Sequence, residues 1–154
     1  MKRFVLAMTG LMAAFPSAAS EPRDYKREAA IWYEAFSKHD PQLLGSVLAE
    51  EWYETPSSER RGREAGIKLI TTLTTVFPDF NAEIKDMIQE GNKVVVRSEL
   101  SGTQAVLFMG FQSKGRKISI QAIDIHEFKD GKIVRTWHSE DWMTGLHQMG
   151  AFEK

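Results

Sequence analysis

The chain contains no cysteine among its 154 residues. Disulfide bonds, thiolate metal sites and a cysteine nucleophile are therefore excluded, and stability must come from an apolar core. The formal net charge is only −1 at neutral pH, so the chain lacks the basic excess that favours nucleic-acid binding. It also lacks the glycine-rich loops of nucleotide sites and the Gly-x-Ser-x-Gly elbow of many hydrolases.

Long hydrophobic runs are equally scarce. The one prominent apolar run covers residues 4–15, follows Lys2 and Arg3, and precedes small residues at 17–20. A run of about 12 residues is short for a membrane span and typical of an export signal. We expect a signal peptide over residues 1–20, a periplasmic or secreted protein over 21–154, and no stable membrane insertion after cleavage. The alternatives are a buried N-terminal helix or a retained anchor.

The first half of the chain has helical periodicity. Ala29, Trp32, Tyr33 and Phe36 recur at three- and four-residue spacing, which predicts a helix over residues 23–38. Aspartate and proline at 40 and 41 predict the start of a second, short helix. A third helix is predicted over residues 63–77, where a proline follows.

From residue 81 onward the apolar period changes to two, which indicates strands. Strands are predicted over residues 93–101, 118–128 and 133–142, with a hairpin turn at Asp130-Gly131. A short aromatic strand at 51–54 and a final helical turn at 145–150 complete the pattern. Helices followed by hairpin-linked strands predict one α+β domain.

The strand over residues 118–128 carries titratable groups where a core strand should be apolar. Side chains alternate between the faces of a strand, so Asp124 and His126 share one face and Gln121 lies on the other. A carboxylate and a histidine in an apolar pocket are suited to proton transfer, since burial shifts a carboxyl pKa upward. The alternatives are a paired, solvated sheet face, or a metal site that includes a second histidine, for which no recognisable ligand spacing is present.

The return strand is also rich in polar groups. Trp137, Ser139 and Asp141 share one face, whereas His138 and Glu140 point to the other. A bulge in this strand would exchange the two faces.

Several short motifs occur along the chain in the same order as in one protein family. These are Phe77-Pro78-Asp79-Phe80, Gly91-Asn92-Lys93, Gly115-Arg116-Lys117, Asp130-Gly131-Lys132 and Gln148-Met149-Gly150. Over about residues 25–150 the chain resembles the SnoaL-like polyketide (ester) cyclases, of the nuclear transport factor 2-like superfamily. The resemblance implies a cone-shaped, curved antiparallel sheet packed against N-terminal helices, with an internal pocket, and a homodimer.

The resemblance also implies a reaction. Relatives close a ring by an aldol-type step through an enolate, without metal or organic cofactor, and Asp141 stands where their acid/base aspartate falls. Gln121, Asp124 and His126 are the candidates to hold the carbonyl or enolate oxygen of a small hydrophobic substrate.

Further substrate-binding candidates come from the aromatic residues and from the early loop. They are Trp52, Tyr33, Phe108 and Trp137, together with Glu54. Many relatives carry a histidine just before the loop proline, and here Glu54 or Thr55 takes that place. Plain core packing is the alternative for the aromatic residues. For the whole protein, the alternatives are a non-catalytic small-molecule binding protein and a protein-interaction domain of the same fold.

Overall fold

The computed structural model describes residues 23–56 and 60–153. The export signal expected at residues 1–20 lies outside this part of the chain. The elements in chain order are α1 (Lys26–Ser37), α2 (Pro41–Val47), β1 (Leu48–Thr55), α3 (Arg63–Val76), β2 (Asn81–Glu90), β3 (Lys93–Thr103), β4 (Lys117–Lys129), β5 (Lys132–Glu140) and α4 (Trp142–Met149). None of the helices described combines the length and the apolar character that crossing a membrane requires.

The strands form one open, curved sheet in the order β1-β5-β4-β3-β2. Neighbours from β2 to β5 are antiparallel, which confirms the predicted hairpin arrangement. The edge strand β1 differs, because it pairs with β5 in parallel. Parallel strands need a long connection, and here α3 and three strands separate the two. The sheet is therefore mixed, and the α+β class is confirmed.

Local signals explain where the main elements start and turn. The Asp40 carboxylate accepts hydrogen bonds from the backbone N–H groups of Gln42 and Leu43, with Pro41 in the first turn of α2. Asp130 and Gly131 both have positive φ, at 51° and 80°. This is the backbone of a two-residue hairpin turn, and it joins β4 to β5 as predicted.

The core lies between the helices and the inner face of the sheet. On α1, Trp32, Tyr33 and Phe36 are all buried, as their spacing predicts. On β4, every second residue from Ile118 to Phe128 is buried. This buried row begins as an ordinary apolar strand face and then contains an aspartate and a histidine, which is where the candidate site lies.

Candidate active site

A cavity of about 180 Å³ opens between α1, α3, the sheet and the loop over residues 104–116. Its closed end is marked by the buried side chains Tyr33 and Asp124, and its mouth by the exposed residues Arg60, Thr72 and Met109. Apolar and aromatic side chains form most of the wall. They are Trp32, Phe36, Leu69, Leu73, Phe80, Ala82, Leu100, Phe108 and Trp142.

A row of ionisable side chains crosses the sheet side of the cavity. His138 Nδ1 lies 2.5 Å from Asp124 Oδ1, and His138 Nε2 lies 3.1 Å from Glu140 Oε1. The indole N–H of Trp142 donates to the other oxygen of Glu140. The row forms because Asp124 and His138 are opposite each other in the β4–β5 register, and Glu140 follows on the same face of β5.

A second hydrogen-bonded row lies behind the first, in the core. The Trp52 indole N–H donates to Thr136 Oγ1 at 3.1 Å, and Thr136 Oγ1 lies 3.1 Å from His126 Nδ1. His126 Nε2 is 3.1 Å from the Tyr33 hydroxyl, which donates to Asp124 Oδ2 at 2.7 Å. The two rows therefore meet at Asp124.

The directions of these bonds follow from the groups at their ends. A carboxylate only accepts and a phenol has one proton to donate, so the Tyr33 hydroxyl donates to Asp124. The remaining bond must run from His126 Nε2–H to the Tyr33 oxygen. His126 therefore carries a proton on Nε2, and in the neutral ring Nδ1 accepts from the Thr136 hydroxyl.

The row at the cavity is ionic. Burial alone would lower the pKa of His138, but its hydrogen bonds to Asp124 and Glu140 and their negative charges raise that pKa to about 11. Burial would raise the pKa of Asp124, but the hydrogen bond and charge of His138 hold it below its usual value. At neutral pH the row is an imidazolium between two carboxylates.

The row in the core is neutral. Burial lowers the pKa of His126 to about 4, although the charge of Asp124 acts in the opposite direction. Burial, with the nearby Asp124 charge, also raises the pKa of Tyr33 well above its ordinary value. At neutral pH His126 is therefore a neutral imidazole and Tyr33 a protonated phenol, as these hydrogen bonds require.

Glu54 supplies a third carboxylate to the cavity. Its side chain is 5% exposed and receives a hydrogen bond from Arg60 Nη1 at 2.7 Å. Burial raises the pKa of Glu54, and the charge of Arg60 partly offsets this effect. The charged groups of the wall are thus three carboxylates and two cations.

The prediction that Asp141 faces the pocket is wrong. The residue is exposed and is the N-cap of α4, where its carboxylate accepts hydrogen bonds from the backbone N–H and hydroxyl of Thr144. The β5 strand ends at Glu140, and the side chains on either side of Asp141, Glu140 and Trp142, are the ones that line the cavity. Asp141 therefore lies outside.

Gln121 and Trp137 were also expected in the site, and the structure places both on the other face of the sheet. Gln121 is exposed on β4, in alternation with buried Ile120 and Ala122. Trp137 is half-buried, and the Arg135 guanidinium carbon lies 3.9 Å from the centre of its ring. Neither side chain reaches the cavity.

Two further candidates are buried beside the cavity and do not line it. Trp52 and His126 are both 0% exposed. Trp52 packs under α3 at Gly66, where an added Cβ would come within 3.2 Å of the indole ring. Asp124, Tyr33, Glu54 and Phe108 do line the cavity, and their roles stay predictions.

The main groups that sequence reasoning did not select are His138 and Glu140, with Arg60 and Trp142. The alternation of β5 had placed His138 and Glu140 on the face opposite Asp141. The missing signal was a bulge in the hairpin: the turn at Asp130-Gly131 alone would pair Asp124 with Trp137, and a one-residue register shift after the Phe128–Ile133 pair brings His138 opposite Asp124, on the same face. Across residues 23–56 and 60–153, no group of three or more candidate ligands is arranged to hold a metal ion.

Known proteins share this fold and part of this sequence. The family model "SnoaL-like polyketide cyclase" matches residues 27–149. A search of curated protein sequences found no match.

Solved structures give matches over most of the chain. TsrD from Streptomyces laurentii is 27% identical, with a TM-score of 0.77 over 82% of this chain and 94% of that one. IdmH from Streptomyces antibioticus, described as a proposed polyketide cyclase, is 27% identical, with a TM-score of 0.72 over 83% and 99%. A SnoaL-like polyketide cyclase from Agrobacterium tumefaciens, 16% identical with a TM-score of 0.73 over 83% and 99%, supports the fold alone.

Proposed function

The chain belongs to the SnoaL-like polyketide cyclase family, and from this premise we propose that it is a cofactor-independent cyclase or isomerase acting on a small hydrophobic carbonyl compound. Family membership and the related structures support a cyclase or isomerase type of function. The observation that carries the specific chemistry is the hydrogen-bonded row of Asp124, His138 and Glu140 along an otherwise apolar cavity.

In the proposed reaction, His138 acts on the carbonyl oxygen and Glu140 on the neighbouring C–H bond. The carbonyl oxygen accepts the Nε2–H of His138 in place of Glu140, which frees the Glu140 carboxylate. Glu140 takes a proton from the carbon next to the carbonyl, and the C–H electron pair moves onto the carbonyl oxygen to give an enolate. The imidazolium stabilises this oxyanion in a site of low dielectric.

The second half of the reaction returns the proton. For ring closure, the enolate carbon bonds to a second carbonyl carbon of the same substrate, and the new alkoxide takes the proton from Glu140. For isomerisation, the proton returns to a different carbon. Asp124 is a positioning residue: its bond to Nδ1 fixes the ring and keeps His138 charged.

Deuterium exchange tests this chemistry without knowledge of the natural substrate. The protein is incubated in D₂O with 2-tetralone or 4-phenyl-2-butanone, and loss of the proton signal next to the carbonyl is followed by NMR. We expect faster exchange than without protein, a loss of about 100-fold or more in Glu140→Gln, and a smaller loss in His138→Gln. The matched control is Asp141→Asn, which should exchange at the wild-type rate.

The outcomes separate the candidate functions. Loss of exchange in Asp141→Asn with retention in Glu140→Gln would overturn the assignment of the base. Saturable binding of the ketones without exchange would instead indicate a small-molecule binding protein.

We also propose that the protein is exported, on the strength of the charged and apolar pattern at residues 1–20. Mass spectrometry of the protein recovered from the periplasm or medium should give a mature N-terminus near residue 21. Recovery of the intact chain from the cytoplasm would contradict export.

A homodimer is proposed through the outer face of the sheet. In support, Val95, Ile125 and Trp137 are neighbours across β3, β4 and β5 on that face, and Ile123 beside them is 41% exposed. Analytical ultracentrifugation should give a dimer for the wild type and a monomer for Ile123→Lys. A wild-type protein that is monomeric at micromolar concentration would contradict the proposed dimer.

A further inference from the structure

The cavity has a shortage of free hydrogen-bond donors. The Tyr33 hydroxyl, both N–H groups of His138 and the indole N–H of Trp142 are already directed at the carboxylates Asp124 and Glu140. The Thr72 hydroxyl donates to the carbonyl of the preceding helical turn. Arg60, at the mouth, has N–H groups besides the one bonded to Glu54, but deeper in the cavity an entering ligand meets mainly acceptors.

The negative charge of the wall is incompletely neutralised. Glu54 pairs with Arg60, whereas Asp124 and Glu140 share the single cation His138. One carboxylate charge is left without a cation in a mostly apolar enclosure, which is costly unless it is paired.

Glu54 gives an independent indication of a ligand. The side chain is 5% exposed, and Oε1 takes the hydrogen bond from Arg60. Among the described residues, its second oxygen, Oε2, accepts no hydrogen bond and is not fully enclosed, and Glu54 lines the cavity. A carboxylate oxygen that has no donor and is open to a cavity is suited to a donor on a ligand.

The aromatic walls favour the same kind of group. Trp32, Phe36, Phe80, Phe108 and Trp142 surround the cavity. A cation close to the face of such a ring is attracted by the ring's quadrupole, most strongly for tryptophan.

We infer that the substrate carries a protonated amine, with the ammonium group bound by Glu54 and the aromatic wall while the carbonyl lies at His138. The inference rests on the proposed function for placing the substrate in this cavity. It also deepens that function by specifying the substrate. When a carbonyl bonds to His138, the Glu140 carboxylate loses its hydrogen bond to that cation. The ammonium group of the substrate then compensates for the negative charge of this carboxylate. The substrate class is thus a small amino-carbonyl compound.

Three probes of nearly equal size test the charge preference. A cavity of about 150 Å³ holds a benzene ring in another protein, so the 180 Å³ here is large enough for benzylamine, benzyl alcohol and benzoate. Binding is measured by calorimetry at pH 7, where benzylamine is an ammonium ion. We expect benzylamine to bind at least about tenfold more tightly than benzyl alcohol, with benzoate weakest.

Paired variants locate the effect. Glu54→Gln should reduce the preference for benzylamine over benzyl alcohol to less than about threefold, whereas Glu51→Gln, an exposed glutamate on the same strand, should keep the wild-type preference. Glu140→Gln provides a second variant if Glu54→Gln does not fold, and the wild-type probe series stands without either.

Equal or tighter binding of benzyl alcohol or benzoate, or no binding of any probe, would overturn the inference. A preference for benzylamine that survives Glu54→Gln would overturn the role of Glu54. The deuterium-exchange experiment remains separate: selective amine binding without exchange removes the proposed reaction and keeps the binding preference, and exchange without amine selectivity does the reverse.

Discussion

His126 and His138 occupy neighbouring strands on the same face of the sheet, and each is connected to Asp124. His138 bonds to that carboxylate directly, and His126 reaches it through the Tyr33 hydroxyl. Their pKa values nevertheless move in opposite directions, to about 11 for His138 and to about 4 for His126. Burial lowers both values, so the difference comes from the identity of the direct partner.

This contrast shows how one strand pair can hold a charged and a neutral imidazole side by side. A carboxylate in direct contact outweighs desolvation, whereas hydroxyl partners do not. The neutral His126 fixes the Tyr33 hydroxyl, which fixes Asp124, which in turn keeps His138 charged. We interpret the core row as the support for the ionic row that faces the cavity.

Removal of the carboxylate shared by both rows should have the largest effect on stability. Asp124→Asn leaves His138 with Glu140 as its only carboxylate, and a buried ion pair that loses one partner typically costs about 3–5 kcal/mol. We expect urea unfolding at pH 7 to show a loss of this order, with a downward shift in the pKa of His138.

The matched control for this change is Asp86→Asn. Asp86 forms an exposed pair with Arg97, and such pairs contribute less than about 1 kcal/mol. Equal losses in the two variants would contradict the central role of Asp124.

Acid should destabilise the protein through His126, with the second-largest effect. The folded pKa of about 4 lies below the unfolded value of about 6.5, so the neutral ring stabilises the fold above pH 6.5, and this contribution is lost as the pH falls towards 4. The linkage relation gives about 3 kcal/mol over that range.

The free energy of unfolding should therefore decline less steeply between pH 6.5 and 4 in His126→Gln than in the wild type. His39→Gln is the control, since that histidine lies near the surface, with a ring nitrogen close to the Phe80 carbonyl. The same slope in the wild type and His126→Gln would show that His126 is not held neutral.

Some parts of this structure could be predicted from the sequence, and others could not. The α1 face, the capped start of α2 and the Asp130-Gly131 turn depend on neighbours in the chain, and all were predicted. The parallel pairing of β1 with β5 and the path of the loop over residues 104–116 depend on distant contacts, and they were not.

The candidate site was predicted in part for the same reason. Asp124 could be selected because a carboxylate in a buried strand row is anomalous on its own. His138 and Glu140 required the cross-strand register, and Asp141 required knowledge that β5 ends at Glu140. Its position before a short helix is itself a capping signal, so local chemistry favoured a structural role.

The smallest expected effect concerns Asp141. Asparagine is about as good an N-cap as aspartate, so Asp141→Asn should change the free energy of unfolding by less than about 0.5 kcal/mol. Because its carboxylate is exposed and bonded only to Thr144 among the described residues, both histidines should keep their wild-type ¹⁵N chemical shifts from pH 5 to 9. A shift of the His138 signals in Asp141→Asn, with those of His126 unchanged, would mean that Asp141 acts on the ionic row. In that case Asp141 would not be separated from the cavity at the end of β5, and its assignment to the outer surface would be wrong.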